Sequence, residues 1–257
     1  MTLGDARDRP ATIGELLDAM QHRLDSLPPG KAAAHDFLGT YLRTTAAVAA
    51  AIQAGTFEDG AWVERWDLVF AGLYLEALDA HVSEQGRPSR PWRLAFEAAQ
   101  GLPPLLNVLL GVNAHINYDL PQALLAVIPD AEFSDPSLLA RRRRDHERID
   151  AVLSGRVAAE DVELSALSVR TLLDRGLRPI NRWASRKFLK ESRQKVWNNT
   201  LELWRAKSAG DHAYATRLAE LELLSAAKVA DLLMLMPGQV LLRLAVAGFG
   251  VSLPPEK

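Results

Sequence analysis

Apolar positions recur at intervals of three and four along nearly the whole chain, the period of helices with one face turned inward. No stretch sustains the apolar/polar alternation of a half-buried strand. The pattern predicts an all-α protein, and its breaks fall at helix-ending residues. Thr12-Ile13-Gly14-Glu15 has capping-box spacing and opens a helix that stops before Pro28-Pro29-Gly30. A second helix runs from about Ala32 to Ala54, closed by Gly55, and a third from about Asp59 to Glu84, closed by Gly86 and Pro88. Pro91 starts a short helix that Gly101 closes. A long, unusually apolar helix follows from Pro103 to about Ile128. Ser134-Asp135-Pro136 caps the next, which ends near Gly155. Further helices are expected at about Glu160 to Arg175, Asn181 to Ser208, Asp211 to Met236 and Gly238 to Phe249.

The loops between these elements are short, and no fixed-period repeat is visible. The expectation is one multi-helix bundle over residues 1–257, built around a central buried helix. Met1 to Pro10 carries mixed charges and no apolar core, so it reads as a flexible N-terminus rather than a secretory signal. The apolar stretch Val229 to Val251 is interrupted by Pro237, Gly238, Gln239 and Arg243. It falls short of the ~20 uninterrupted residues of a spanning helix. It reads as a C-terminal helical hairpin, buried or joining copies into a homo-oligomer.

Composition narrows the chemistry. The formal net charge is −2 and no basic stripe is interleaved with aromatics, which argues against nucleic acid as a partner. Cysteine is absent, which removes disulfides, thiolate ligands and a thiol nucleophile, and fits a cytoplasmic location. There is no Gly-rich phosphate loop, no G-x-S-x-G and no H-E-x-x-H.

The central helix carries the strongest candidate. Between two apolar ends lies Asn113-Ala114-His115-Ile116-Asn117-Tyr118-Asp119. Polar groups inside a buried segment must be paired, solvated in a cavity or bound to a ligand, because unpaired burial costs several kcal/mol. His115 and Asp119 are four residues apart and project from one face, so they can share an ion or bond each other. The same spacing also fits a purely structural hydrogen bond. Gly111, one turn earlier, leaves room above His115, and Pro121 frees the Asn117 carbonyl and bends the helix.

Asp67 falls inside the stripe Val63, Phe70, Tyr74 and Leu78, so it needs a partner: a cation, His115 or an ordinary arginine. His81 is on the same side but ~21 Å further along a continuous helix, too far to share an ion with Asp67. In Arg141-Arg142-Arg143-Arg144-Asp145-His146-Glu147-Arg148-Ile149-Asp150 the arginines cover every face of a turn, so most should be solvated. Asp145 leans toward the buried side and is a third candidate carboxylate, with His146 and Asp150 weaker ones. The helix after Asn181 carries Trp183, Phe188, Trp197 and Trp204, a series that suits a core as readily as a pocket wall. Tyr74, Asn113, Asn117, Tyr118, Arg193 and Trp197 are the candidate substrate-binding residues.

With these residues in view, the chain resembles an uncharacterised, mainly actinobacterial domain-of-unknown-function family. The resemblance runs through Phe57-Glu58-Asp59, Trp66-Asp67, Phe70-Ala71, Tyr74, Trp92, Ala95-Phe96, the segment Leu110 to Leu120, Asp145 to Asp150, Arg193 and Trp197. That family usually has Phe and Asn where this chain has His146 and Asp150, so neither is implied as an inherited ligand. A looser similarity is to zinc-dependent phospholipase C and P1-type nuclease enzymes, which place H-x-x-x-D on a buried helix. It implies metal binding by His115 and Asp119, but this chain lacks the further histidines of a three-zinc site.

Three functions stay open. The first is an enzyme, by default a hydrolase, acting on a small, partly apolar metabolite. His115, Asp119 and Asp67 would hold a divalent ion (zinc, magnesium, manganese or iron), with Asp145 as ligand or base. The second is metal-free acid/base chemistry by His115, as in an isomerase, lyase or cyclase. The third is a non-catalytic binding or scaffold protein.

Overall fold

Local capping sets the first element as the sequence predicts. The Thr12 hydroxyl accepts from the Glu15 amide at 3.2 Å, opening α1 (Ile13–Ser26). α2 (Ala32–Gln53) leads to a turn in which Asp59 caps α3 (Gly60–Ser83) by accepting from the Trp62 amide at 3.0 Å. α3 ends where Glu84 turns to a left-handed φ of 57°. The computed structural model describes residues 10–98, 102, 104–167 and 194–234, and every regular element among them is helical.

The short α4 (Arg90–Phe96) precedes the central rod, which the sequence predicts as one helix with a bend. It is three segments: α5 (Pro104–Ala114), a π-turn at His115–Asp119, and α6 (Leu120–Val127). In the π-turn the Leu120 amide donates to the carbonyl of His115, five residues back. Pro121 follows and has no amide hydrogen to draw the ladder back into register. A single turn, α7 (Asp130–Phe133), was not apparent in the periodicity. α8 (Pro136–Leu167) runs straight through Gly155, where an end was expected, and absorbs the start of the helix predicted after it. α9 (194–209) and α10 (Asp211–Met234) complete the described chain. The expected helix from Gly238 to Phe249, most of the apolar hairpin, and Arg193 lie outside the described residues.

The rod is enclosed, as its composition requires. α5 packs against α2, α4 and α10, and α6 packs against α3. One contiguous apolar cluster includes residues from α1 to α10. Gly111 is where α2 approaches most closely: a Cβ there would lie 2.5 Å from Phe37 Cγ. The room expected above His115 is therefore filled by the Phe37 ring.

The arginine run departs from its expected solvation at one position. Arg142 is buried, grips Glu132 and Asp59 at 2.7 Å each, and sits 5.0 Å over the Trp62 ring. Among the described residues, no helix is long and apolar enough to cross a membrane.

Candidate functional site

The π-turn places His115 and Asp119 side by side. His115 Nδ1 lies 2.8 Å from Asp119 Oδ2, and both residues are buried. From α4, the Trp92 indole N–H donates to the same carboxylate oxygen at 2.7 Å. Burial lowers the His115 pKa, against the opposing pull of Asp119. Burial also raises the Asp119 pKa, against its bonds to His115 and Trp92. The arrangement is that of a neutral imidazole whose Nδ1–H donates to Asp119. Its Nε2 is then left with a lone pair, buried and without a hydrogen-bond partner.

Aromatic rings surround that imidazole. Phe70 lies parallel to it, with centroids 3.6 Å apart and planes 5° apart. Tyr41 meets it edge-on at 4.7 Å, and Phe37 and Tyr74 stand at 5.9 Å. Three further buried polar atoms in these walls have no hydrogen-bond partner: Tyr41 Oη, Tyr74 Oη and Asp67 Oδ2. Burial pushes the Asp67 carboxyl up to about 7, with a smaller push from the Glu64 charge. Burial, then the charges of Asp67 and Asp119, raise the Tyr41 phenol well above its usual value. Burial raises Tyr74 likewise.

Asp67 is linked to His115 through Tyr41, whose phenol feels the Asp67 charge and whose ring meets the imidazole, but the unpartnered Asp67 Oδ2 and His115 Nε2 do not bond each other. Tyr41 was not singled out from sequence. Its signal was present, since the buried stripe Ala34, Phe37, Leu38, Tyr41, Thr45 and Val48 on α2 carries a phenol and a hydroxyl. Trp92 stood in the resemblance, but nothing in the sequence ties its indole to Asp119.

The other candidates lie apart from this interior or serve the backbone. Asp145 is fully buried and accepts the amides of Glu58 and Asp59 at 2.8 and 2.9 Å and Arg148 at 3.1 Å. It clamps α8 to the α2–α3 turn. His146 is buried between Trp66 and Trp197, with centroids 5.5 and 5.6 Å away. Asn113 donates to the Leu109 carbonyl and Asn117 to that of Asn113, each at 2.9 Å, so both amides bond within the rod. Tyr118 turns toward a surface cleft with Arg90 and Arg93. The side chain of Asp150 is outside the described set.

A family model matches residues 13–235, most of the chain. The chain belongs to DUF5995, a family of unknown function. No curated protein and no solved structure matches it. Among the described residues of this DUF5995 chain, no three His, Asp or Glu side chains are grouped to hold a metal ion. Asp119 Oδ2 faces two nitrogen neighbours and His115 Nδ1 is turned toward it, which leaves Nε2 as the imidazole's free nitrogen. The likeness to zinc phospholipase C and P1 nuclease enzymes therefore rests on the H-x-x-x-D spacing alone.

Proposed function

We propose that this protein is a cofactor-independent acid/base enzyme, an isomerase, lyase or cyclase acting on a small, partly apolar molecule. The observation that carries this reading is His115 Nε2, a buried basic nitrogen with no partner on an imidazole oriented from behind by Asp119. In such a site Nε2 takes a proton from an acidified C–H or O–H of the substrate. Asp119 steadies the imidazolium as it forms, and Nε2 returns the proton to a neighbouring atom. Asp67, whose carboxyl burial pushes up to about 7, would exchange a second proton. The Tyr41 phenol, beside Thr45, would be the donor to a developing oxyanion. Phe37, Phe70 and Tyr74 supply apolar walls. His115 is only 3% exposed, so substrate entry requires these walls to part. The absence of cysteine accords with work in a reducing cytoplasm.

The test is proton exchange. The purified chain is incubated in deuterated water with a panel of small ketones and enolisable acids, and label uptake is read by mass spectrometry. Catalysed uptake that falls by about 100-fold or more in His115→Ala supports the reading. Uptake no faster than in buffer, or unchanged in the variant, overturns it.

A second reading, a non-catalytic binding or scaffold protein, is favoured by one feature. On α10, Leu223, Leu224 and Met234 are 55%, 58% and 82% exposed, a surface suited to another copy or a partner. In that case Leu224→Asp changes the sedimentation coefficient, and His115→Ala lowers only the melting temperature.

A further inference from the structure

We infer that the cleft between α4 and α10 binds a small dianionic oxyanion ligand, a phosphomonoester or a dicarboxylate, through Arg87, Arg90 and Arg93. The cleft measures about 590 Å³ and is walled by Arg87, Ser89, Arg90, Arg93, Tyr118 and Glu222. An adjoining hollow of about 690 Å³ shares the three arginines, so an organic body attached to the anion has space beside it.

Arg87 and Arg90 are exposed and Arg93 is half-buried around one concavity, and their like charges give it a positive potential that favours an anion. Elsewhere in the chain, Arg23, Arg142, Arg144, Arg148 and Arg217 each grip a carboxylate. The side chains of Arg87, Arg90 and Arg93 have no hydrogen bond or ion pair among the described residues. The single carboxylate in the cleft wall, Glu222, already accepts the backbone N–H of Arg90 at 2.7 Å. In the cleft wall three positive groups face one negative, and the adjoining hollow adds Lys31, Glu84 and Glu97, so the pair of hollows keeps a positive excess that favours an anion.

A second, independent observation points the same way. Ser89 precedes α4, yet its hydroxyl makes no capping bond. Its Oγ is buried without any hydrogen-bond partner, in the wall of this cleft. A small turn of the Ser89 side chain would bring that hydroxyl to a ligand oxygen while forked guanidiniums took the remaining oxygens. Tyr118 adds a half-buried aromatic edge from the π-turn.

This site goes beyond the acid/base proposal and does not depend on it, since anion binding is measurable whatever His115 does. The two are nevertheless adjacent through α4. That helix sends Arg90 and Arg93 to the cleft and Trp92 inward to Asp119.

The test is calorimetric titration of the full chain at low ionic strength with inorganic phosphate, phenyl phosphate, succinate and, as a monoanion control, acetate. Saturable binding of a phosphate or of succinate, with acetate far weaker, is expected, and which dianion prevails identifies the ligand class. Arg90→Ala and Arg93→Ala should each weaken binding by about tenfold or more. Ser89→Ala should weaken it by a smaller factor. Arg65→Ala, an exposed arginine on α3, should leave it unchanged. Absence of saturable binding for every dianion, or an equal loss in Arg65→Ala, overturns the proposal.

Discussion

Trp92 reaches Asp119 across 27 residues of sequence and donates its indole N–H at 2.7 Å to the same oxygen that His115 Nδ1 approaches at 2.8 Å. One carboxylate oxygen therefore orients two rings from different helices, and the imidazole is held by its back nitrogen. Asparagine at position 119 has one acceptor oxygen and an amide that donates, so Asp119→Asn lets the imidazole flip its proton to Nε2. Nitrogen-15 NMR of the histidine ring should show Nδ1 protonated in the wild type and Nε2 protonated in Asp119→Asn. Any proton-exchange activity should fall by about 100-fold or more in this variant.

Asp67 sets a stability slope opposite to that of most carboxylates. Its carboxyl holds a proton in the folded chain up to about pH 7. The unfolded chain releases the same proton near pH 4. Between those values the folded state binds more protons, so stability falls as pH rises, then levels above about pH 7. The loss is on the order of 4 kcal/mol for a group this buried. Asp67→Asn, which stays neutral, should remove that slope. Urea denaturation of both proteins between pH 4 and 8 gives the difference directly.

Asp145→Ala should unfold the chain more readily without acting through the His115 interior. The substitution strips the Glu58 and Asp59 amides of their acceptor at a fully buried position and releases Arg148. A cost of about 3 kcal/mol or more is expected. A urea midpoint that hardly moves would contradict the clamp assigned to this residue.

Gly111→Ala tests the closest approach of α2 to the central rod. The new methyl would overlap the Phe37 ring, and overpacking of this kind costs about 1–3 kcal/mol. Phe37→Ala in the same chain should make the double loss smaller than the sum of the two single losses, because it removes the Cγ and Cδ atoms that the methyl meets. Thermal melts of the two single variants and the double variant measure the coupling.

The fold was readable wherever a local signal decided it. Thr12 announces its helix by capping, and the apolar flanks of His115 announce an enclosed rod. Gly155 shows where local reasoning fails: glycine weakens a helix by only about 1 kcal/mol, and α8 continues through it. The candidate site was half legible for a similar reason. His115, Asp119 and Asp67 stand out as polar residues on apolar faces. Tyr41 and Trp92 belong to amphipathic patterns that any core aromatic would satisfy, and only packing brings them to the dyad. Asp145 was correctly inward, but its donors are backbone amides of a distant turn, and a sequence does not display backbone geometry. Arg142 was hidden by its neighbours, since four consecutive arginines give no hint which one is swallowed.

The wide turn at His115–Asp119 holds one residue more than an α-helix would use to climb the same height. The wide turn absorbs that surplus, about 100° of helical rotation, within its own five residues. Leu110 and Ala114 below it and Leu120 and Leu124 above it are all buried. Deleting a single residue from 116 to 118 would close the wide turn into an ordinary α-helical one and leave both halves of the rod facing nearly as they do now. The imidazole and its carboxylate would then stand three residues apart instead of four, and the pair would lose the spacing on which its geometry rests.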